Sequence, residues 1–194
     1  MVTTRPMRVD ARRNHDRLVT EAADAFFERG IDVPLEEIAR RADVGIGTLY
    51  RHFPTRDALI EAVYRHEVEL LCESADELAA ECPPGEALEA WLQRFVAYVA
   101  TKRGMAAALK SVVGADSALF AESHRRVTAA VTGLVDAGVR AGVIRDDVEP
   151  MDLLRAVSGI CLATDRDDWR DHARRLVALL MDGMRFRPVP AQPR

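Results

Sequence analysis

Hydroxyl, imidazole and guanidinium groups crowd into one short stretch of the chain, Gly45-Ile46-Gly47-Thr48-Leu49-Tyr50-Arg51-His52-Phe53-Pro54-Thr55-Arg56. It reads as a helix of about two turns with a start loosened by glycine and a stop at Pro54. Leu49 and Phe53 lie four apart and face inward together. The other face carries Ile46, Gly47, Tyr50 and Arg51, with Thr48 and His52 at its edges. Short side chains in front and hydroxyl or cationic groups behind suit close approach to a polyanion. This is binding chemistry. A reaction would need a nucleophile–base pair, a ligand cluster or a phosphate loop, and none is spaced for one. Gly45-Ile46-Gly47 is too short for a nucleotide-binding fingerprint.

Other reactive groups read more blandly. Cys72, Cys82 and Cys161 are scattered, in no metal or redox spacing, and are thiols of a reducing compartment. Asp165, Asp167, Asp168, Asp171 and His172 form a solvated charge run beside a helix start, where aspartate suits the dipole, rather than a metal site. Trp91, Phe95, Tyr98, Met105, Phe120 and His124 have two readings. They either fill an ordinary core or line a cavity for an effector. In a cavity, Trp91, Tyr98 and His124 would be the polar handles in aromatic surroundings, fitting an uncharged or weakly charged, partly hydrophobic compound.

The elements that must position these groups are helical. Asp10 is placed to cap a helix running to Arg29, with residues 1 to about 9 as a mobile arm and Gly30 closing it. Leu18, Ala22, Ala25 and Phe26 are its inner stripe. Pro34 opens a second short helix, with Leu35, Ile38, Ala39 and Ala42 at i, i+3, i+4 and i+7. Asp43, Val44 and Gly45 form the turn to the stretch above, which makes a helix-turn-helix. The second helix of such a unit enters the major groove of DNA.

Thr55 caps a long helix from about Arg56 to Cys82, with Leu59, Val63, Leu70, Leu71 and Leu78 inside. Its length of roughly 38 Å joins two domains rigidly. Pro83-Pro84-Gly85 breaks the chain, and Leu88, Trp91, Leu92, Phe95, Val96 and Val99 then trace an amphipathic helix closed by Lys102-Arg103-Gly104. A shorter helix runs from Met105 to Val113 and ends at Gly114. Ser117 caps another, with Val127, Val131, Leu134 and Val135 inside and Gly142 at its end. Pro150 begins the next, holding Leu153, Leu154, Val157 and Ile160. After the loop Asp165–Asp168 comes a last helix, Trp169 to about Arg185. The alternation needed for a sheet is absent, so the fold class is all-α, with about nine helices.

Composition narrows the partner. The chain has 194 residues, and its hydrophobic share of 48% is sufficient for a real core. Lys plus Arg number 27 against 31 for Asp plus Glu, a net charge of −4, which argues against a general nucleic-acid coat protein. A small local footprint remains open, since Arg5, Arg8, Arg12, Arg13 and Arg17 face only Asp10 and Asp16 at the start of the chain. No apolar run reaches the ~18 residues of a membrane span. Met1-Val2-Thr3-Thr4-Arg5-Pro6 has no apolar region of a secretory signal, so a cytoplasmic location is expected.

Residues 16–64 resemble the DNA-binding domain of TetR-family transcriptional regulators. The residues carrying the likeness are Ala22, Phe26, Phe27 and Gly30, then Ile38, Ala39, Ala42 and Val44, then Gly47, Thr48, Leu49, Tyr50, His52, Phe53, Arg56 and Leu59. Trp91 to Gly104, with Phe95, Tyr98, Thr101 and Arg103, is similar to the effector domain of an SbtR-like subgroup. The resemblance implies a helix-turn-helix DNA-binding domain over residues 1–55, a helical regulatory and dimerisation domain over 56–186, and a flexible tail over 187–194. It also implies that Tyr50 and His52 meet backbone phosphates, with Arg56 standing for the family's usual lysine. Ile46, Gly47 and Thr48 then lie closest to the base edges, Gly45 belongs to the same DNA-binding set, and Arg51 reads guanine or takes a phosphate. Where many members have a threonine that caps the second helix and touches phosphate, this chain has Val33-Pro34-Leu35, so no hydroxyl contact is expected there. Glu36 and Glu37 would repel nearby phosphate.

The implied function is a homodimeric repressor released from a palindromic double-stranded DNA operator by a small molecule. It has no cofactor and no membrane partner. Ser158, Gly159, Leu176, Val177, Leu180 and Met184, on the last two helices, supply the implied interface. A helical small-molecule-binding protein or an enzyme without DNA-dependent function is the alternative, and a mobility-shift assay separates the two.

Overall fold

Apolar residues at helical spacing draw the chain into eight α-helices in the computed structural model, which describes residues 5–113, 118–163 and 169–185. They are α1 (Arg5–Arg29), α2 (Leu35–Arg41), α3 (Ile46–His52), α4 (Arg56–Glu81), α5 (Pro84–Val113), α6 (Ala118–Arg140), α7 (Pro150–Ala163) and α8 (Trp169–Arg185). There is no strand among the described residues. The all-α reading holds. Two segments expected as separate helices are one, because Gly104 does not interrupt α5. A mid-helix glycine costs about 1 kcal/mol relative to alanine. The strong helix formers around it, Lys102 and Arg103 before and Met105 and the alanines after, outweigh that cost. Gly104 also lies close to α1, since a Cβ there would sit 3.9 Å from the Phe26 carbonyl oxygen.

The chain divides into two compact units, Met1–Glu69 with Ala100–Ala121, and Leu70–Val99 with Glu122–Arg194. The divisions fall inside α4, α5 and α6. Gly114, Ser117, Asp165–Asp168 and the tail from Arg187, to which the sequence assigns a helix end, a cap, a loop and a flexible end, lie outside the described residues.

In the first unit, α1 begins at Arg5, so Asp10 is a helix-interior residue and not a cap. Pro6 is compatible with this because a proline in the first turn gives up no intrahelical bond. The helix stops at Gly30, whose N–H still donates to the Phe26 carbonyl at 2.9 Å while its φ of +80° turns the chain out of the helix. Leu18, Ala22, Ala25 and Phe26 are buried as expected, together with Ile38, Ala39, Leu49, Phe53, Leu59 and Val63. Thr55 caps α4, its Oγ1 accepting from the Ala58 N–H at 3.1 Å. On α4 the buried stripe passes through Leu71, and Leu70, expected inside, is 48% exposed.

In the second unit, Pro83 and Pro84 open α5, with the Ala87 N–H donating to the Pro83 carbonyl at 2.9 Å. Pro150 opens α7 in the same way. Ala87, Leu88, Trp91, Leu92, Phe95 and Val96 of α5 are buried, as are Val127, Val131, Leu134 and Val135 of α6. Val157 of α7 and Ala173, Val177 and Met181 of α8 are fully enclosed. After α6 the chain turns at Gly142, φ +71°, and returns Ile144 onto Gly138. A Cβ on Gly138 would stand 2.5 Å from Cγ1 of Ile144 and 3.2 Å from its Cβ. Ile144 is branched next to its backbone and buried, so it has little room to yield. Gly138→Ala should therefore cost about 1–3 kcal/mol. Gly133→Ala, where a Cβ meets nothing within 4 Å on the same helix, should leave the melting temperature unchanged or raise it. Thermal unfolding of the two variants side by side checks this.

Candidate nucleic-acid interface

Two turns of helix cannot hold themselves in water, so α3 takes its place from its neighbours. Leu49 is 0% exposed and Phe53 is buried just beyond the helix end. The opposite face is open. Gly45, Gly47 and Arg51 are exposed, Tyr50 is 47% exposed, and Ile46, Thr48 and His52 are half-buried at the margins. The structure thus leaves Gly45, Ile46, Gly47, Thr48, Tyr50, Arg51 and His52 open or half-open to solvent, and sets Arg56 of the same stretch apart from them. Thr48, Tyr50 and Arg51 make no side-chain hydrogen bond to a described residue, so their donors remain available.

The turn ahead of α3 is built by Asp43, at a φ of 52°, the one non-glycine residue in the left-handed region among the described residues. Its N–H donates to the Arg40 carbonyl at 3.2 Å and the next N–H, of Val44, to the Ala39 carbonyl at 2.9 Å. These two bonds close α2 in the manner usually served by glycine. Gly45 has an ordinary extended conformation and caps α3 through its carbonyl, which accepts from Thr48 at 2.8 Å. Pro34 sits one residue before the first turn of α2 rather than inside it, and no side chain caps that helix.

Two of the four charges on α2, Glu37 and Arg41, are spent within the unit, while Glu36 and Arg40 are exposed. Glu37 accepts from Arg29 at 2.6 Å and from Arg41 at 3.2 Å, while Arg41 also reaches Glu28 at 2.9 Å. The Arg29 hydrogen bond above all holds the Glu37 carboxyl below its usual range. Glu37 is thereby tied to cations, which blunts the repulsion expected of it.

Arg56, the first residue of α4, turns inward. Its Nη1 donates to the carbonyls of Val33, at 2.8 Å, and Ile31, pinning the loop between α1 and α2. No spacing rule could have shown this, because the partners lie 25 and 23 residues back. His52 sits in a ring cluster with His15 of α1, 5.9 Å between centroids, and Phe53; His15 in turn stands 5.0 Å from Phe53. Burial, then the neighbouring His15 and Arg51, lowers the His52 pKa below the ordinary 6.5.

The remaining candidates separate. Trp91 and Phe95 stack at 5.6 Å with an 8° interplanar angle, Tyr98 follows at 5.9 Å, and Trp91 Nε1 donates to the Leu71 carbonyl at 2.9 Å. All three are buried in the second unit, where His124 is exposed. Met105 is buried in the first unit, where the Phe120 ring lies 5.5 Å from that of Tyr64. Val177 and Met184 are buried within the second unit, while Ser158, Leu176 and Leu180 are half-buried and Gly159 exposed. Leu179, absent from the sequence reading, is 67% exposed. The same unit holds a groove of about 630 Å³ lined by alanines of α4 and α6 with Cys72, Arg126, Gly133 and Arg140. Small residues carry no chemical signal, so it had none to be read from.

Residues 18–63 match the bacterial regulatory proteins of the TetR family, and residues 83–186 match the transcriptional regulator SbtR-like C-terminal domain. The chain belongs to the TetR family. A TetR transcriptional regulator from Streptomyces coelicolor is 48% identical, with a TM-score of 0.81 over 88% of this chain and 98% of that one. The TetR regulatory protein of Mycobacterium vanbaalenii is 35% identical, with a TM-score of 0.74 over 93% and 100%. An HTH-type transcriptional regulator of Staphylococcus aureus strain USA300 is 34% identical over 65 residues, 33% of this chain. That match spans only 35% of the relative's length. As a TetR-family member the chain is a DNA-binding regulator of transcription and not an enzyme. No helix among the described residues is long and apolar enough to cross a membrane.

Two outcomes are expected. Arg56→Ala should lower stability by about 1–2 kcal/mol, since two carbonyls lose a charged donor. Arg56→Lys should keep its charge yet lose part of that stability, because the shorter side chain does not carry a donor to the position of Nη1; thermal unfolding beside a salt titration of DNA binding separates position from charge. The second concerns pH. Because the folded His52 pKa lies below its unfolded value, His52 is neutral at pH 7, and stability falls as pH drops below about 6.5. A phosphate against the ring would favour the protonated form. DNA affinity should therefore rise as pH falls through that range, and His52→Gln should remove this part of the rise, read by fluorescence anisotropy between pH 5.5 and 8.

Proposed function

We propose that this TetR-family protein is a homodimeric repressor that holds a near-palindromic operator through α3 and releases it when a small molecule binds. The observation that carries the DNA contact is the division of α3, with Leu49 and Phe53 enclosed and Gly47, Tyr50 and Arg51 open. Ile46, Gly47 and Thr48 lie nearest the bases in this reading. Tyr50 and His52 take phosphates, and Arg51 reads guanine or takes a phosphate. Arg56 adds its charge while positioning the loop ahead of α2.

One short helix reads only a few base pairs, so genomic selectivity requires two copies on a symmetric site. The second copy is expected on α7 and α8. Leu176, Leu179 and Leu180 line a depression of about 460 Å³ with Val148, Ile160 and Gly183, an apolar surface that water would otherwise cover. Ser158 and Gly159 would allow close approach of backbones there. The effector reading rests on Trp91, Phe95 and Tyr98 as an aromatic wall, with Met105, Phe120 and His124 as further candidates. A ligand shifts the DNA-binding state only through unequal affinity for two conformations. The protein would act in the cytoplasm, where its operator is.

Sedimentation at micromolar concentration should return twice the 21.5 kDa chain mass. A double variant, Leu176→Asp with Leu179→Asp, should sediment as the single chain and lose at least tenfold in affinity for DNA fragments selected by the wild type. A wild-type monomer that still binds such fragments tightly would sink the dimer reading.

A further inference from the structure

We propose that the N-terminal turns of α1 are a second DNA-holding element, in which Arg12 and Arg13 take backbone phosphates flanking the base pairs met by α3. This rests on the reading of α3 as the DNA-contacting helix.

Helix α1 meets both ends of α3. The His15 ring lies 5.9 Å from His52 and 5.0 Å from Phe53 at one end, and Arg17 Nη1 stands 3.9 Å from Asp43 Oδ2 in the turn at the other. Residues three and four apart share a helix face. Arg12, three before His15, continues the stripe that touches His52, and Arg13 stands one turn before Asp16 and Arg17. Three residues of helix are about 4.5 Å, so Arg12 lies just past the edge of the recognition helix.

These two guanidiniums are exposed and have no hydrogen bond or ion pair with any described residue. Their neighbours differ. Arg17 donates to Asn14 at 2.7 Å, and Asp16 is taken by His15 at 3.2 Å. In a chain of net charge −4, two uncommitted cations beside the DNA-facing surface fit a polyanion and little else in the fold. The run of α1 from Arg5 to His15 measures about 15 Å of helix. That is the length of four or five base pairs at ~3.4 Å per step along one strand. Asp10, two residues from Arg12, falls off the stripe. The guanidinium fork suits phosphate oxygens, and such contacts carry affinity and register with no base preference.

The test is a salt titration of the full chain on a fluorescein-labelled mixed-sequence duplex that extends beyond the protein at both ends. Replacing both residues, Arg12→Ala with Arg13→Ala, should reduce the slope of log affinity against log salt by about two, at ~0.9 per phosphate. The Arg12→Lys, Arg13→Lys pair should recover most of the slope, which a structural role for the arginines would not produce. Retention of the wild-type slope by the alanine pair would overturn the proposal, and would be the result if these arginines served an acidic protein or a lipid surface instead. Failure of the wild type to bind duplex at low salt would strike the reading of α3 itself. Should the alanine pair melt early, the lysine pair against Arg12→Gln, Arg13→Gln gives the same comparison.

Discussion

The placing of α3 hangs on the burial of two side chains, Leu49 and Phe53. A helix of seven residues forms too few internal hydrogen bonds to persist alone. Its direction, its rotation and the openness of Gly47, Tyr50 and Arg51 are set by where those two apolar groups are enclosed. The neighbours are organised around this need. Asp43 and Val44 close α2 tightly enough that α3 starts at once, Thr55 starts α4 immediately after Pro54, and Arg56 ties the loop before α2 to the start of α4. Recognition surface and core are opposite sides of the same two turns.

Charge is managed on the same plan. Glu28, Arg29, Glu37 and Arg41 satisfy one another across α1 and α2, so an acidic chain carries little unbalanced negative charge on that side of the helix pair. Exposed pairs of this kind add little stability individually. Their value here is in the field they remove, while Arg12 and Arg13 of α1 and Arg51 of α3 have no ion pair with a described residue. In the second unit the analogous economy is apolar. The Trp91–Phe95 stack contributes packing area, and the indole N–H is satisfied by the Leu71 carbonyl, so that a bulky polar aromatic is enclosed without an orphaned donor.

Fold class, the helix-turn-helix and the face that α3 turns outward were legible because they rest on local rules. Periodicity places Leu49 and Phe53 on one side, threonine after proline signals the start of α4, and Pro84 and Pro150 open helices. What escaped depends on partners distant in sequence or on competition between local signals. Arg56 reads as a solvent-facing cation until the carbonyls of Ile31 and Val33 are seen beside it. Asp43 was legible as part of the turn, but not as its left-handed residue, because Gly45, two residues on, is the more obvious one for that conformation. Gly104 after Lys102-Arg103 has the form of a helix end, and only the residues beyond it carry the helix through. Leu70 and Leu71 are chemically alike, and a small difference in helical phase decides which is buried. The alternatives for Trp91, Phe95 and Tyr98 were undecided for the same reason, since spacing cannot distinguish an aromatic in a core from one in a wall.

The divisions between the two units lie within α4, α5 and α6, not in loops. The crossings in α4 and α5 fall in helix interior, where backbone N–H groups are bonded four residues back. A protease needs an extended, locally unfolded stretch to engage, and neither of these two offers one without breaking helix. The reading head is therefore not a detachable cassette. Grafting residues 1–55 onto a foreign regulator would leave behind the Ala100–Ala121 segment that completes the same compact unit. A graft that keeps its fold would have to carry that segment as well, so in this chain the helix-turn-helix is easier to alter by point substitution than by recombination of parts.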